Sequence, residues 1–292
     1  MPSPSCSSCS TCRLVDMAET WRLLGPEATV GDYSLALHEA LLLSQAAGEA
    51  PPTLRLYTWA QRCVTIGCGQ SITDIDLEYC AAVGLPVLRR LSGGTAVLHE
   101  PSQLAFMIVL PPEHPIVRGD VVESYAPVSR ALLRALNDLG ICAEAVPPQT
   151  ARALPADPIG RAACFGGLAP YEIVWCGRKL IGHAQVRRRN AVLLGGTLLL
   201  DFDPAALARV LRVAQPDERA RLQGYLAQHI TSAREAAGRA VSFEEAFSAC
   251  CVAWEEEFGV QLRPGGLTAA EERWTAELRA GKYRLPAWTE RR

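Results

Sequence analysis

The residues best suited to chemistry are a cysteine and the polar side chains of a strand that follows it. Cys164 ends a long stretch rich in proline and alanine, and Lys179, His183 and Gln185 lie further along at alternating positions. Because successive side chains of a strand point to opposite faces, we expect these three to share one face, with the small Gly182 on the other. A thiol close to a cation and an amide suits acyl transfer. Taken alone, Lys179 is better explained as a solvated hairpin lysine, and Cys164 also fits an unremarkable loop thiol.

A second motif is a Gly-Gly turn between two predicted strands. Two adjacent glycines let the backbone turn sharply and bring its N–H groups close to the carbonyl or phosphate of a ligand. We expect His99 near the middle of the second strand. Without further context the motif also fits a plain turn, and His99 a hydrogen-bonded core histidine. The candidate binding residues of this motif are Arg90, Ser92, Gly93, Gly94, Thr95 and His99.

The composition is that of an ordinary globular protein. The 292 residues are 49% hydrophobic and 21% charged, with a formal net charge of -2. No apolar run approaches the roughly 20 residues that span a bilayer, and the N-terminus lacks the pattern of a secretory signal. We therefore expect a cytoplasmic protein without a membrane partner. The absence of net positive charge and of a basic stripe with aromatic residues argues against nucleic-acid binding.

The cysteines do not predict a disulfide framework. There are eleven, an odd number, and many lie within apolar segments where small buried thiols are common. Cys6, Cys9 and Cys12 have a spacing that could hold a metal, but no second Cys or His pair follows to complete four ligands. We expect residues 1–16 to be a disordered Ser/Pro-rich tail, and we predict no metal site.

The order of the predicted elements indicates an α+β fold with a mixed, largely antiparallel sheet flanked by helices. Asp32 is expected to cap a first helix, and residues 54–58 and 63–66 to form a hairpin. Residues 121–139 have the pattern of an amphipathic helix, and residues 147–160 that of a loop without periodicity. Capping boxes begin helices at Ser242 and Thr268. We divide the chain into a catalytic domain, residues 17–250, and a helical C-terminal extension, residues 251–292, packed on it.

Three segments together resemble a known superfamily. RRLSGGTAVLH, ACFGGLAPYEI and GRKLIGHAQVRRRNAVLLGGTLLL occur in the order and spacing typical of the biotin/lipoate protein ligase superfamily. Within it the chain is most similar to the cysteine-dependent octanoyltransferases of lipoate synthesis. The resemblance covers roughly residues 18–285. It implies an α+β domain whose mixed sheet cradles a medium-chain acyl group.

The resemblance also implies a mechanism with no cofactor. Octanoyl-acyl carrier protein would be the donor, and Cys164 would hold the octanoyl group as a thioester. Lys179 would favour the thiolate, which is the nucleophilic form, and could polarise the acyl carbonyl. A lysine of a lipoyl carrier domain would be the acceptor, with the glycine-cleavage H protein as the expected carrier. The implied substrate-binding residues are Arg90, Ser92, Gly93, Gly94, Thr95, His99, Gly182, His183, Gln185 and Gly196, with His99 and Gln185 at the polar end of the acyl group.

Alternatives remain open from the sequence. An ATP-dependent lipoate ligase typically has Arg-Asn-Asp and no nucleophile where this chain has Ala163-Cys164-Phe165. An amidotransferase that moves octanoyl between carrier proteins would use the same cysteine, and a non-catalytic homologue would only bind a carrier. His183 departs from the Ser or Asn common in the family, and could be a second base or a plain hydrogen-bonding group. The basic run 187–189 fits either a solvated turn or a docking site for an acidic acyl carrier protein.

Overall fold

The computed structural model describes residues 18–153, 168–188, 190–213 and 215–291. Several sequence predictions fall outside these residues and are not addressed by the fold. They are the tail 1–16 with its three cysteines, the second half of the predicted 147–160 loop, Cys164, and Arg189.

The main sheet confirms the predicted mixed, largely antiparallel architecture. It is nine-stranded in the order β12-β1-β3-β7-β11-β10-β9-β8, with β2 paired to β3. Strands β1, β2, β3 and β12 pair in parallel, whereas β3, β7, β11, β10, β9 and β8 follow one another in antiparallel pairs. The strands are β1 Thr20–Leu24, β2 Ala28–Thr29, β3 Thr53–Trp59, β7 Gln103–Leu110, β8 Glu144–Ala145, β9 Ile173–Trp175, β10 Arg178–Arg188, β11 Ala191–Leu199 and β12 Gln261–Pro264.

A second, three-stranded sheet lies beside the first. It shows that the hairpin predicted from residues 54–58 and 63–66 is wrong. It consists of β4 Cys63–Ile66 between β5 Val87–Arg89, which is parallel to it, and β6 Val97–His99, which is antiparallel. Residues 54–58 and 63–66 are both strands, as predicted, but they belong to different sheets. Both edges of β3 are already hydrogen-bonded, to β1 and to β7, so β4 finds its partners elsewhere.

The helices follow the local sequence signals with three exceptions. Val30, not Asp32, is the N-cap of the first helix; Asp32 lies in its first turn and binds Arg279 and Arg284. The helix predicted from residue 121 begins at Tyr125, and the predicted 147–160 loop contains a short helix. The helices are α1 Gly31–Ala46, α2 Leu77–Ala82, α3 Tyr125–Asp138, α4 Pro148–Ala153, α5 Pro204–Val210, α6 Pro216–His229, α7 Ala233–Ala237, α8 Phe243–Phe258, α9 Ala269–Leu278 and α10 Pro286–Thr289.

Helices cover both faces of the main sheet. Leu132 of α3 and Trp254 of α8 pack with Phe106 of β7 in the largest apolar cluster. Leu41 of α1 and Met107 of β7 belong to a second cluster on the opposite side, and α5 and α6 pack against the small sheet. No helix in the described ranges is long and apolar enough to cross a membrane.

The C-terminal segment is joined to the rest of the chain by a buried arginine. Arg89 is only 1% exposed, and its guanidinium donates to the carbonyl oxygens of Thr289 (2.7 and 3.0 Å), Gly67 (2.8 Å) and Gln70 (2.7 Å). Strand β12 pairs with β1, and α8 runs through the predicted division at residue 250. We therefore keep that division as a prediction only.

Candidate active site

A cavity of about 110 Å³ opens where the small sheet meets β7, β10 and β11. Its wall is mostly apolar, as a pocket for a hydrocarbon chain requires. The apolar lining includes Leu35, Trp59, Val97, Met107, Val186 and Leu193. Six of the predicted binding residues line the cavity: Arg90, Ser92, His99, Gly182, His183 and Gly196.

Small residues on two adjacent strands make room for the cavity. Gly182 and Ala184 of β10 and Gly195 and Gly196 of β11 lie on its lining. A Cβ atom on Gly196 would lie 2.4 Å from the carbonyl oxygen of Gly182 and 2.6 Å from the ring of Phe106. No side chain fits there, because van der Waals contact needs well over 3 Å. The glycines keep this part of the sheet free of side chains.

The side chain of Arg90 stabilises the Gly-Gly turn by hydrogen bonds to its backbone. Its guanidinium donates to the carbonyl oxygens of Gly93 (2.7 Å), Thr95 (2.9 Å) and Thr65 (3.1 Å), and to the hydroxyls of Ser92 (3.2 Å) and Thr65 (3.3 Å). These N–H groups of Arg90 are thus hydrogen-bonded within the protein, and they hold the turn at the cavity entrance. Gly93, Gly94 and Thr95 form the turn but do not line the cavity, so their contact with substrate stays a prediction.

His99 is a neutral, fully hydrogen-bonded histidine at the end of β6, not near the middle of the strand as predicted. Its Nδ1 lies 3.3 Å from Gln103 Oε1, and its Nε2 lies 2.9 Å from Thr65 Oγ1. Because the Gln103 amide group donates to Leu98, its oxygen faces the ring and assigns the proton to Nδ1. Burial, with the nearby positive charge of Arg90, lowers the pKa of His99 to about 3. The ring also stacks on Trp59, with centroids 4.0 Å apart.

A second histidine in the cavity wall has no predicted role in the sequence. His38 Nε2 lies 3.1 Å from Tyr57 Oη and 3.4 Å from Ser34 Oγ. Arg55, fully buried, lies over the Tyr57 ring at 3.8 Å and donates to Glu27. Burial, and then the charge of Arg55, hold the pKa of His38 well below its ordinary value. His38 is the one histidine in the Leu- and Ala-rich helix α1, and this is the sequence feature that could have indicated a role in the site.

Lys179 is buried in an ion pair behind the cavity. Its Nζ lies 2.7 Å from Glu172 Oε2, and the two side chains are 1% and 4% exposed. The same carboxylate oxygen accepts a hydrogen bond from the backbone N–H of Ala169, at 2.6 Å. Lys179 is therefore held near the first residues described after the Cys164 segment, but it does not line the cavity. A β-bulge between Lys179 and Ile181 interrupts the alternation from which its shared face with His183 was predicted.

Gln185 is turned away from the cavity. Its side-chain amide donates to Val121 O (2.9 Å) and to Ser124 Oγ (2.8 Å), and its oxygen accepts from Arg187. These bonds join β10 to the start of α3. Nothing about Gln185 places it at the polar end of a bound acyl group, and its predicted binding role stays a prediction.

The basic run after Gln185 is partly structural. Arg187 donates to the carbonyl oxygens of Val117 (2.7 Å), Gly119 (3.1 Å) and Asp120 (3.3 Å), so it holds a loop and is not a freely solvated cation. Arg188 is exposed. Elsewhere in the part of the chain that the structure describes, no group of three or more His, Cys, Asp or Glu side chains could hold a metal ion.

The sheet, the cavity and its glycine-lined floor define an acyl-handling α+β catalytic domain, and comparison with known proteins gives the class. Residues 31–255 match the family described as the lipoyl protein ligase A/B catalytic domain. The chain belongs to this family. Within it the chain groups with the octanoyltransferases, and is an acyltransferase.

The relatives and solved structures agree with this placement. Octanoyltransferase LipM from Kyrpidia tusciae is 40% identical over 276 residues, which are 94% of this chain and 100% of the relative. Octanoyltransferase LipM from Symbiobacterium thermophilum is 35% identical over 278 residues, with 94% and 100% covered. A bi-partite lipoate protein ligase from Thermoplasma acidophilum, studied with its E2 lipoyl domain, has a TM-score of 0.76 and 25% identity, covering 94% of this chain and 96% of that chain. A lipoate-protein ligase A bound with ATP has a TM-score of 0.74 and 26% identity, covering 93% and 98%.

Proposed function

We propose that this protein takes an octanoyl group from octanoyl-acyl carrier protein and passes it, through a thioester on Cys164, to a lysine of a lipoyl-domain protein. In the first half-reaction the Cys164 thiolate attacks the donor thioester and the carrier thiolate leaves, to be protonated by solvent. In the second, the acceptor amine attacks the enzyme thioester, the new amide loses a proton to solvent, and the Cys164 thiolate leaves. The donor is already activated, so this route needs no ATP.

One observation supports the proposal most directly. An apolar cavity with a glycine-rich floor lies next to a buried lysine, and the partner of that lysine is anchored to Ala169, five residues after Cys164. The cavity suits an unbranched hydrocarbon chain, because its polar groups are few and mostly committed to the protein. Lys179 supplies a positive charge on the side of the site where the thiol is expected.

The electrostatic effect of Lys179 on the thiol depends also on its partner Glu172. Two unit charges 4 Å apart interact by about 4 kcal/mol at an effective dielectric constant of 20, so an ammonium can lower a thiol pKa appreciably. Glu172, at 2.7 Å, cancels part of that field. We infer that Glu172 holds Lys179 in place, at the cost of a weaker effect of its charge on the thiol.

Intact mass spectrometry tests the proposal. The full chain mixed with octanoyl-acyl carrier protein should gain one octanoyl group, which hydroxylamine removes. The Cys164→Ala variant should gain none, whereas Cys176→Ala, which changes an exposed thiol of the described chain, should react like the wild type. Adding glycine-cleavage H protein should then transfer the group to one of its lysines. An adduct that persists in Cys164→Ala would refute the assigned nucleophile.

ATP-dependent lipoate ligation is the second candidate. The solved structures with TM-scores of 0.76 and 0.74 are lipoate protein ligases, and one of them binds ATP. The Ala163-Cys164-Phe165 sequence favours the transferase, because the ligases resembled typically have no cysteine there. Release of pyrophosphate from ATP with free octanoate or lipoate would favour the ligase. If acceptor lysines are modified only when the octanoyl donor is another lipoyl-domain protein, the reaction is amidotransfer.

A further inference from the structure

Three histidines line the cavity, and they differ in one respect. Both ring nitrogens of His99 are engaged, by Thr65 and Gln103, and His38 shares its Nε2 with Tyr57 and Ser34. The ring nitrogens of His183 are both buried, and neither makes a hydrogen bond of ordinary geometry within the described chain. His183 is therefore the cavity histidine whose hydrogen-bonding capacity remains available to a ligand.

The His183 ring is nevertheless held in place. It stacks on Tyr125 of α3, with centroids 4.1 Å apart and ring planes at 11°. The charged and polar groups that face it are Glu172, Lys179 and the backbone of Tyr171. A ring fixed by stacking, with neither nitrogen in a hydrogen bond of ordinary geometry, is preorganised to bind a polar atom.

The ring is neutral at physiological pH. Burial lowers the pKa of His183, and Lys179 acts in the same direction, while Glu172 and the Tyr171 backbone oppose them. A neutral imidazole offers one N–H donor and one acceptor nitrogen. Leaving such a group buried and unsatisfied is unfavourable, so a partner is expected when the site is occupied.

An acyl group in this cavity brings one polar atom with it. Its hydrocarbon chain has no hydrogen-bonding group, so the carbonyl oxygen is the atom that needs a donor. Arg90 directs its donors to the Gly-Gly turn, and Gln185 points to α3. Two cavity-lining side chains of the described chain keep a buried nitrogen without a partner, His183 and Trp59. The Trp59 ring stacks on His99, whereas His183 is the one that faces the Lys179–Glu172 pair.

We propose that His183 donates a hydrogen bond to the carbonyl oxygen of the acyl group and stabilises the negative charge that forms there when the thioester is attacked. This inference rests on the proposed octanoyl transfer. In this role the ring neither takes nor gives a proton; it donates from a fixed N–H as an oxyanion hole does. His183 thus takes the polar-end role that the sequence suggested for His99 and Gln185.

Two variants separate donation from packing. His183→Phe keeps a ring to stack on Tyr125 but removes the N–H, and His183→Gln keeps a side-chain N–H donor but cannot act as a base at neutral pH. The matched control is His229→Phe, because His229 lies on α6 outside the cavity and stacks on Tyr225 in a similar way. The octanoyl enzyme is formed with 1-¹³C-octanoyl-acyl carrier protein, and single-turnover transfer to glycine-cleavage H protein is timed.

His183→Phe should transfer the octanoyl group about 10²-fold more slowly, the effect typical of losing one oxyanion donor. Its ¹³C=O infrared band should move to higher frequency, because the carbonyl loses a hydrogen bond. His183→Gln should recover most of the rate and the band position, and His229→Phe should match the wild type.

Transfer by His183→Phe within twofold of wild type, with an unmoved band, would overturn the inference. Equal impairment of the Gln and Phe variants would also overturn it, because the ring would then act by proton transfer or shape. If the wild type forms no octanoyl enzyme at all, the proposed function itself fails.

Discussion

Lys179 Nζ and Glu172 Oε2 lie 2.7 Å apart with both side chains almost fully buried. The pair joins the start of β10 to the turn that precedes β9, and Glu172 reaches on to the N–H of Ala169. Breaking such a pair by neutralising one partner leaves an uncompensated charge in the interior. An intact pair is therefore needed to hold the Lys179 and Glu172 side chains where they are.

Neutralising Glu172 should destabilise the protein and slow octanoyl transfer. We expect Glu172→Gln to lower the free energy of unfolding by about 3–5 kcal/mol, because the buried ammonium loses its partner. Octanoyl transfer should fall because Lys179 loses the contact that holds its side chain in position. Chemical denaturation and the rate of octanoyl-enzyme formation measure the two effects.

The control for this prediction lies on the neighbouring residue of β10. Arg178 pairs with Glu235 at 2.6 Å, but the Glu235 side chain is 51% exposed. Glu235→Gln should cost less than about 1 kcal/mol, as exposed ion pairs do, and leave the transfer rate unchanged. If Glu172→Gln behaves like Glu235→Gln, the buried pair does not have the role assigned to it.

The buried histidines should make the protein less stable in mild acid. The pKa of His99 is lowered from about 6.5 in the unfolded chain to about 3 in the folded state. Between these values the unfolded chain binds a proton that the folded chain does not. The stability is fully present above pH 6.5 and is lost as the pH falls, by about 1.4 kcal/mol per pH unit for this group. Urea midpoints at pH 7.5, 6.0 and 5.0 measure it.

Replacing His99 should reduce that pH dependence. His99→Gln removes one titrating group, so the slope of stability against pH should decrease by about one proton, whatever the variant's stability at pH 7.5. His38 and His183, whose pKa values are also lowered by burial, account for acid sensitivity that remains. An unchanged slope in His99→Gln would mean that His99 is protonated, or accessible, in the folded protein.

Local signals predicted the elements whose geometry is set locally. The capping boxes at Ser242 and Thr268 begin α8 and α9 as predicted, because the bonds that define a capping box lie within four residues. The turn at Cys176 and Gly177, which the glycine indicates in the sequence, joins β9 to β10 with φ of 50° and 74°. The capping boxes and this turn both depend only on residues close by in the sequence.

Long-range partners were not predictable in the same way. The β3–β4 hairpin was wrong because both edges of β3 are occupied by β1 and β7, which the sequence near β3 does not reveal. Gln185 was expected in the site, but its partners Val121 and Ser124 lie more than sixty positions earlier in the chain. His38 and Tyr57 were missed because the cavity forms only when α1, β3 and β10 are brought together.

The close approach of two loops at the cavity entrance should make Gly67 irreplaceable. A Cβ atom there would lie 1.8 Å from the carbonyl oxygen of Gly94, in the turn that Arg90 holds. Gly67→Ala should therefore displace the turn and destabilise the protein by about 1–3 kcal/mol, with a loss of octanoyl transfer. Gly224→Ala is the control, since nothing lies within 4 Å of its added Cβ on α6. It should stabilise the protein by about 0.5–1 kcal/mol, and any gain in stability from Gly67→Ala would contradict the contact.

Docking of an acidic carrier protein is best tested at Arg188. Arg187 is unsuitable, because it holds the backbone of residues 117–120, and Arg187→Glu should destabilise that loop whatever docks there. Arg188→Glu reverses an exposed charge, so it should weaken attraction to acyl carrier protein and raise the apparent KM severalfold at low salt. The effect should shrink at 0.5 M salt, where exposed charges are screened.

Arg284→Glu, at an exposed arginine far along the chain, controls for the change in net charge. Because it also breaks the contact with Asp32, thermal unfolding must show that the variant is folded. Equal KM values for wild type and Arg188→Glu at low salt would place the carrier on another surface.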